Sequence, residues 1–142
     1  MKKLNSFILV SGLFILTSSF SGCGTDININ EYIDKNAPLK MTINQRDNST
    51  GLTTSENFEI AVNADKYQKI IEWGNKNRDG WQWAPASYIA DIYIGQGNFR
   101  MLYTLGSKGV VIAFTDKEGK PKQYSKIVEQ GSLDFLDKGL KK

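Results

Sequence analysis

The sequence predicts an α+β fold: a mainly antiparallel sheet of about six strands with one amphipathic helix packed on it. Apolar residues recur at every second position in several segments, the period of a half-buried strand. One stretch instead has helical period. Hairpin-length connections join the later segments, which favours antiparallel pairing. The predicted order is therefore β-β-α-β-β-β-β.

The first two predicted strands lie on either side of a turn. Leu39, Met41 and Ile43 alternate with polar residues and indicate a half-buried strand over 39–45. Residues 46–51 (RDNSTG) have turn composition. A second alternating strand follows, carrying Phe58, Ile60 and Val62.

The predicted helix runs from an N-cap at Asn63 to about Lys76. One face at helical spacing carries Tyr67, Ile70, Ile71 and Gly74. Gly74 either ends the helix early or lets another element approach closely. Residues 77–80 (NRDG) stop the helix.

The rest of the chain returns to strand periodicity. The predicted strands are 89–94, 99–105, 110–115 and 123–128, separated by turns at 95–98, 106–109 and 116–119. Ser132 is a candidate cap for a short terminal helix that carries Leu133, Phe135 and Leu136.

The first 23 residues have the layout of a secretory signal. Lys2 and Lys3 are followed by an apolar-dominated run to Phe20 and then by Ser21-Gly22-Cys23. The run is shorter than a membrane-spanning helix and is interrupted by polar residues. With Cys at the cleavage point, this segment closely resembles a bacterial lipoprotein signal with its lipobox, although Phe20 stands where Leu is most common.

The resemblance implies an address in the bacterial cell envelope. Residues 1–22 would be removed, and Cys23 would carry a diacylglycerol and usually an amide-linked acyl chain such as palmitate. Several acyl chains give stable anchoring to a membrane, here on the periplasmic side. Gly24, in place of Asp after the Cys, resembles the outer-membrane-sorted class of enteric bacteria.

Composition after cleavage describes one small domain. Residues 1–22 carry two of the 18 basic and none of the 15 acidic residues, so the remaining 120 residues have a net charge of +1. This balance does not favour nucleic acid as a partner. Residues 23–37 are interpreted as the lipidated Cys and a polar tether, and residues 38–142 as a single domain. The acidic residues of the tether match no calcium loop.

Few residues of this chain suit catalysis. It has no His, and its one Cys is assigned to lipid, which removes the usual nucleophile–base pairs and zinc-thiolate sites. No cofactor and no metal site is expected. Paired carboxylates remain the one catalytic option, with Glu72, Asp79 and Asp91 as candidates for a glycan-acting enzyme.

The three Trp residues fall within eleven positions, and two of them form a candidate partner-binding site. Trp73 adjoins the helix's apolar face and is expected in the core. Trp81 and Trp83 either pack over the sheet edge or form an exposed platform. Tyr88, Arg78 and Asp79 lie nearby, and Trp, Tyr and Arg are enriched in protein-binding hot spots.

Three function classes remain open at this point. The favoured one is a lipid-anchored binding protein without catalytic activity, acting by protein–protein contact, similar in general character to lipid-anchored immunity proteins and hydrolase inhibitors. The second is a structural or assembly accessory lipoprotein of the envelope. The third is the carboxylate-dependent enzyme.

Overall fold

Seven antiparallel strands in one sheet and a single α-helix form the fold in the computed structural model, which describes residues 24–137. The predicted α+β class is confirmed, with seven strands in place of about six. The strands are β1 (Leu39–Arg46), β2 (Thr53–Ile60), β3 (Gln82–Trp83), β4 (Ile92–Gln96), β5 (Phe99–Tyr103), β6 (Gly109–Thr115) and β7 (Pro121–Ile127). Their order across the sheet is β2-β1-β4-β5-β6-β7-β3. The signal segment and Cys23 lie outside the described residues.

The alternating residues define one buried face of the sheet. Met41 of β1 pairs with Ile94 of β4, and Ile94 pairs with Met101 of β5, which in turn pairs with Ile112 of β6. All four side chains are buried. We call this side of the sheet the core face and the opposite side the outer face.

Helix α1 (Asp65–Lys76) contributes Tyr67, Ile70 and Trp73 to the core. The predicted N-cap was wrong: Ala64 occupies that position in extended conformation, and no side chain caps the helix. Gly74 does permit close approach, since a Cβ atom there would meet Ile29. None of the described helices is long and apolar enough to cross a membrane.

Residues 24–37 are not the solvated tether expected from their polar composition. Ile27, Ile29 and Ile33 are buried in the core, and residues Ile29–Glu31 form a 3-10 helix against α1. The side chain of Asn30 donates to the Ile71 carbonyl at 3.0 Å and to Asn75 Oδ1 at 2.8 Å. Burial of three isoleucines outweighs the solubility of their polar neighbours, so the packed structure begins at the first described residue.

The additional strand, β3, lies in a segment predicted as a loop. It pairs with β7 through Gln82–Ser125 and Trp83–Tyr124. The fourth strand also differs from the prediction: it begins at Ile92, not at Ile89, and it continues to Gln96 through the expected turn. Ile89 is 94% exposed.

Between β3 and β4 the chain crosses the outer face of the sheet. β3 lies beyond β7 and β4 lies beside β1, so residues 84–91, the crossing segment, pass β7, β6 and β5. Gln123 Nε2 donates to the carbonyl of Ala84 at 2.6 Å, and Ala90 N donates to Tyr93 Oη at 3.0 Å. By register, Gln123 and Tyr93 both belong to the outer face.

The chain after β7 returns to the core. Leu133 and Leu136 are fully buried, and Asp134–Leu136 form a 3-10 helix. Its N-cap is Leu133, not the predicted Ser132, and no side chain caps it.

The two ends of the sheet carry different connections. One end holds the β1–β2 hairpin loop, the β5–β6 turn, the last residue of β7 and Gly80, which precedes β3. We call it the Gly80 end. The opposite end holds the β4–β5 and β6–β7 hairpin turns.

Candidate functional site

Trp81 is fully buried, so of the two alternatives that the sequence left open, packing holds for this residue and an exposed platform does not. Its indole Nε1 donates to the carbonyl of Asn77 at 2.8 Å, and its ring meets Trp73 edge-on at 6.4 Å. Lys126 Nζ lies 5.9 Å from the ring centre, within cation–π range. Trp73 is buried, as expected. Both indoles therefore serve packing.

The backbone of Trp81 also holds the start of the described chain. Thr25 N donates to the Trp81 carbonyl at 2.7 Å, and Trp81 N donates back to the Thr25 carbonyl at 3.2 Å. Gly24 lies so close to Gly80 that a Cβ atom on Gly24 would come within 2.4 Å of the Gly80 Cα. A side chain at position 24 therefore does not fit without movement of the backbone.

Arg78 and Asp79 are exposed but face different partners. Arg78 reaches Asp26 at 3.3 Å, and Asp79 Oδ1 lies 3.4 Å from Lys126 Nζ. Tyr88 is 40% exposed within the crossing segment. No hydrogen bond, ion pair or ring contact among residues 24–137 links these three side chains to Trp83. Arg78 and Asp79 are therefore held by Asp26 and Lys126, not by Trp83.

Trp83 is the exposed one of the two candidate tryptophans. Its side chain is 56% exposed, and its ring meets Tyr124 edge-on at a centroid distance of 5.6 Å. Tyr124 stacks on Phe114 at 6.0 Å, and Phe114 stacks on Tyr32 at 3.9 Å. Trp83 therefore terminates a row of four rings that continues into the body of the protein, which fixes its position.

Burial raises the pKa of Tyr32 above its usual value, and the nearby carboxylates of Glu31 and Asp116 raise it further. The phenol of Tyr32 therefore stays neutral and remains a stacking partner for Phe114 across the physiological pH range.

Trp83 borders an open cavity of about 710 Å³ at the end of the sheet opposite Gly80. Pro85 and Ala86 of the crossing segment form one wall, and Pro121 at the start of β7 forms another. Polar residues also line the cavity, among them Arg100 of β5 and Lys122 and Gln123 of β7. We call Trp83 together with this cavity the Trp83 surface.

Two polar residues of the Trp83 surface were not predicted. Gln123 Nε2 donates to the carbonyls of Ala84 and Ala86, which holds the crossing segment in place. Arg100 Nη1 donates to the carbonyls of Gly97 at 2.7 Å and Phe99 at 2.8 Å. These bonds hold the guanidinium against the β4–β5 turn. Neither residue could be predicted from the sequence, because only the pairing of β5 with β6 and of β6 with β7 brings them together.

The three candidate catalytic carboxylates lie in three separate parts of the structure. Glu72 lines a cavity between α1 and the C-terminal segment, and Asp79 lines another with Lys126. Asp91 Oδ2 accepts a hydrogen bond of 2.8 Å from Leu105 N and closes the β5 end. Within residues 24–137, no group of three or more Cys, Asp and Glu residues is close enough to hold a metal ion.

Comparison with known proteins gives no relative: no family model, no curated protein and no solved structure matches this chain.

Proposed function

We propose that this protein is a lipid-anchored, non-catalytic binding protein of the bacterial cell envelope, and that it acts by contact between its Trp83 surface and a partner protein. The half-exposed side chain of Trp83, a residue that also borders the cavity, is the observation that supports this proposal. Trp is the residue most characteristic of binding hot spots, which cluster at well-packed pockets.

Rigidity of the Trp83 surface favours binding. The ring of Trp83 rests on Tyr124, and Gln123 fixes the crossing segment through two carbonyls. Association costs less free energy when the interface residues are ordered before the partner arrives. An indole that is already positioned loses little rotamer freedom when it is covered.

The residues that line the Trp83 surface indicate what kind of partner it would bind. The apolar walls suit an inserted aliphatic or aromatic side chain. Arg100 lines the cavity, and pairing of a guanidinium with a carboxylate is among the strongest contacts available to it. We therefore infer a partner that places an apolar side chain next to an Asp or Glu, as an inhibited hydrolase or a neutralised toxin would.

The test uses the full chain with a C-terminal affinity tag, expressed with its own leader and cross-linked before purification. The captured proteins are identified by mass spectrometry, and the affinity of the purified pair is then measured. We expect one stoichiometric partner and a loss of about 30-fold in affinity for Trp83→Ala, the size of a hot-spot effect.

Tyr88→Ala is the matched control, because Tyr88 is exposed but lies outside the cavity lining. It should bind like the unmodified protein. A partner that binds the Trp83→Ala variant normally would locate the interface elsewhere. A stoichiometric partner belonging to an envelope assembly would indicate the accessory role instead.

A further inference from the structure

Exposed hydrophobic side chains gather at the Gly80 end of the sheet. Of the six large hydrophobic residues with exposed side chains in the described chain, four lie there: Leu52, Ile89, Leu105 and Ile127. Leu52 follows the β1–β2 hairpin tip, Ile89 precedes β4, Leu105 follows β5 and Ile127 ends β7. Apolar side chains from four separate elements therefore lie at one end. Ile89 and Ile127 are the most exposed of them, at 94% and 81%.

The backbone contacts place these residues side by side. The carbonyl of Ile89 accepts from Thr104 Oγ1 at 3.4 Å, next to Leu105. Ile127 pairs with Gly109 across the β6–β7 ladder. Strands are about 4.8 Å apart, so the row from β7 to β1 spans about 20 Å. The four apolar side chains are thus distributed along this end, with exposed polar residues such as Thr104 and Lys108 between them.

The chain enters the domain at the same end. Gly24 is fixed against Gly80, and Gly80 lines one small cavity together with Ile127. Cys23 is one residue away, and neighbouring Cα atoms are about 3.8 Å apart. Because residues 24–37 pack into the core, no tether separates Cys23 from the domain.

We propose that the Gly80 end lies on the lipid surface, with Leu52, Ile89, Leu105 and Ile127 inserted at the boundary between headgroups and acyl chains. The inference rests on lipidation of Cys23, which belongs to the proposed function. Acyl chains attached this close to the domain hold this end at the bilayer, and burial of its exposed apolar area is favourable there.

The charged groups at this end fit a phospholipid surface. Arg46 and Lys108 are exposed and pair with no carboxylate among the described residues. Asp47 accepts hydrogen bonds from Ser49 within its own turn, and Asp79 faces Lys126. Arg46 and Lys108 are therefore available to headgroup phosphates, and the carboxylates of Asp47 and Asp91 lie at the same end within their own hydrogen bonds. The Trp83 surface, at the opposite end, would point away from the membrane.

The experiment places a probe at each end of the lipidated full chain. Cys23 is the only Cys and its thiol would be consumed by the lipid, so Ile127→Cys, Ile89→Cys and Lys117→Cys each introduce one reactive thiol. Lys117 is exposed in the β6–β7 turn at the opposite end and is the matched control. Each variant carries an environment-sensitive fluorophore and is reconstituted into phosphatidylethanolamine–phosphatidylglycerol vesicles containing a nitroxide lipid.

We expect the probes at 127 and 89 to shift to shorter wavelength, to be quenched by the nitroxide lipid and to be shielded from iodide. The probe at 117 should remain open to iodide and unaffected by the lipid. Two variants are used so that each controls for a change in local packing at the other; position 89 is almost fully exposed and tolerates substitution.

Probes at 127 and 89 that behave like the probe at 117 would overturn the proposal. Shielding from iodide without nitroxide quenching would also overturn it, because a second copy or another protein would then cover this end. Mass spectrometry of the intact protein is done first: an unacylated Cys23 refutes the lipid anchor itself, whereas an acylated protein with water-exposed probes refutes only the orientation.

Discussion

Gly74 of the helix lies directly against Ile29 of the N-terminal segment: a Cβ atom on Gly74 would come within 2.6 Å of Ile29 Cγ1 and 3.0 Å of Asn30 Oδ1. Ile29 is fully buried. The contact joins α1 to the N-terminal segment of the described chain.

Gly74→Ala should therefore destabilise the protein, although alanine is the better helix former by about 1 kcal/mol. Overpacking of a core typically costs about 1–3 kcal/mol, so we expect a net loss of about 1 kcal/mol in urea unfolding. Ile29→Ala relieves the clash, and the two substitutions should cost less together than the sum of their separate effects. Strict additivity would contradict the contact.

Substitutions of Trp81 and of Trp83 should have different effects on stability. Trp81→Ala removes a fully buried indole and its hydrogen bond to Asn77, and should lower the free energy of unfolding by about 3–5 kcal/mol. Trp83→Ala removes a half-exposed ring and should cost less than about 1.5 kcal/mol. Denaturant titrations of both variants measure the difference. Equal losses would show that Trp83 is a core residue.

Asp116 should contribute to the acid sensitivity of the fold. Its pKa is lowered because its carboxylate accepts hydrogen bonds from the backbone N–H groups of Lys120 and Glu118 and lies beside Lys122. A lowered folded-state pKa gives stability that is fully present above the unfolded value of about 4 and is lost as pH falls through the folded value.

Asp116→Asn should therefore show a shallower loss of stability than the unmodified protein below about pH 4. Unfolding midpoints measured between neutral pH and strongly acidic pH test this. Glu56→Gln, an exposed carboxylate on β2, controls for the general loss of charge. The same acid slope in the Asp116→Asn variant would contradict the role of the turn.

Asp91 should behave as a structural group that closes a turn. Its carboxylate accepts from Leu105 N at 2.8 Å, so Asp91→Ala should cost about 1 kcal/mol and speed hydrogen exchange at that amide. Asp91→Asn keeps an acceptor oxygen and should retain most of the protection. Unchanged exchange in Asp91→Ala would mean that the bond is not formed in solution.

The central strands could be predicted from the sequence because their burial follows a local period. Leu39, Met41 and Ile43 alternate with polar residues, and each lies on the core face. β3 could not be predicted, since a two-residue strand has no period and exists only because β7 offers a free edge.

The N-terminal segment and the Trp83 surface illustrate the limits of local patterns. Ile27, Ile29 and Ile33 were available as a signal, but the polar residues between them favoured a tether. Arg100 and Gln123 reach the same cavity because Arg100 pairs with Ala113, and Ala113 pairs with Gln123. Such a relation depends on register across three strands and leaves no trace in the spacing of residues.

The position of β4 between β1 and β5 has a consequence for how the chain acquires this structure. The β1–β2 pair and the β4–β5–β6–β7 meander are built from sequence neighbours, whereas Thr42 must find Tyr93 across α1 and the crossing segment. Closing so long a loop before its contacts form is entropically costly and slows folding. During synthesis, β1 emerges first and has one edge unpaired until β4 has been made. The interval between those two events is the period in which the nascent chain is most exposed to aggregation and to proteolysis.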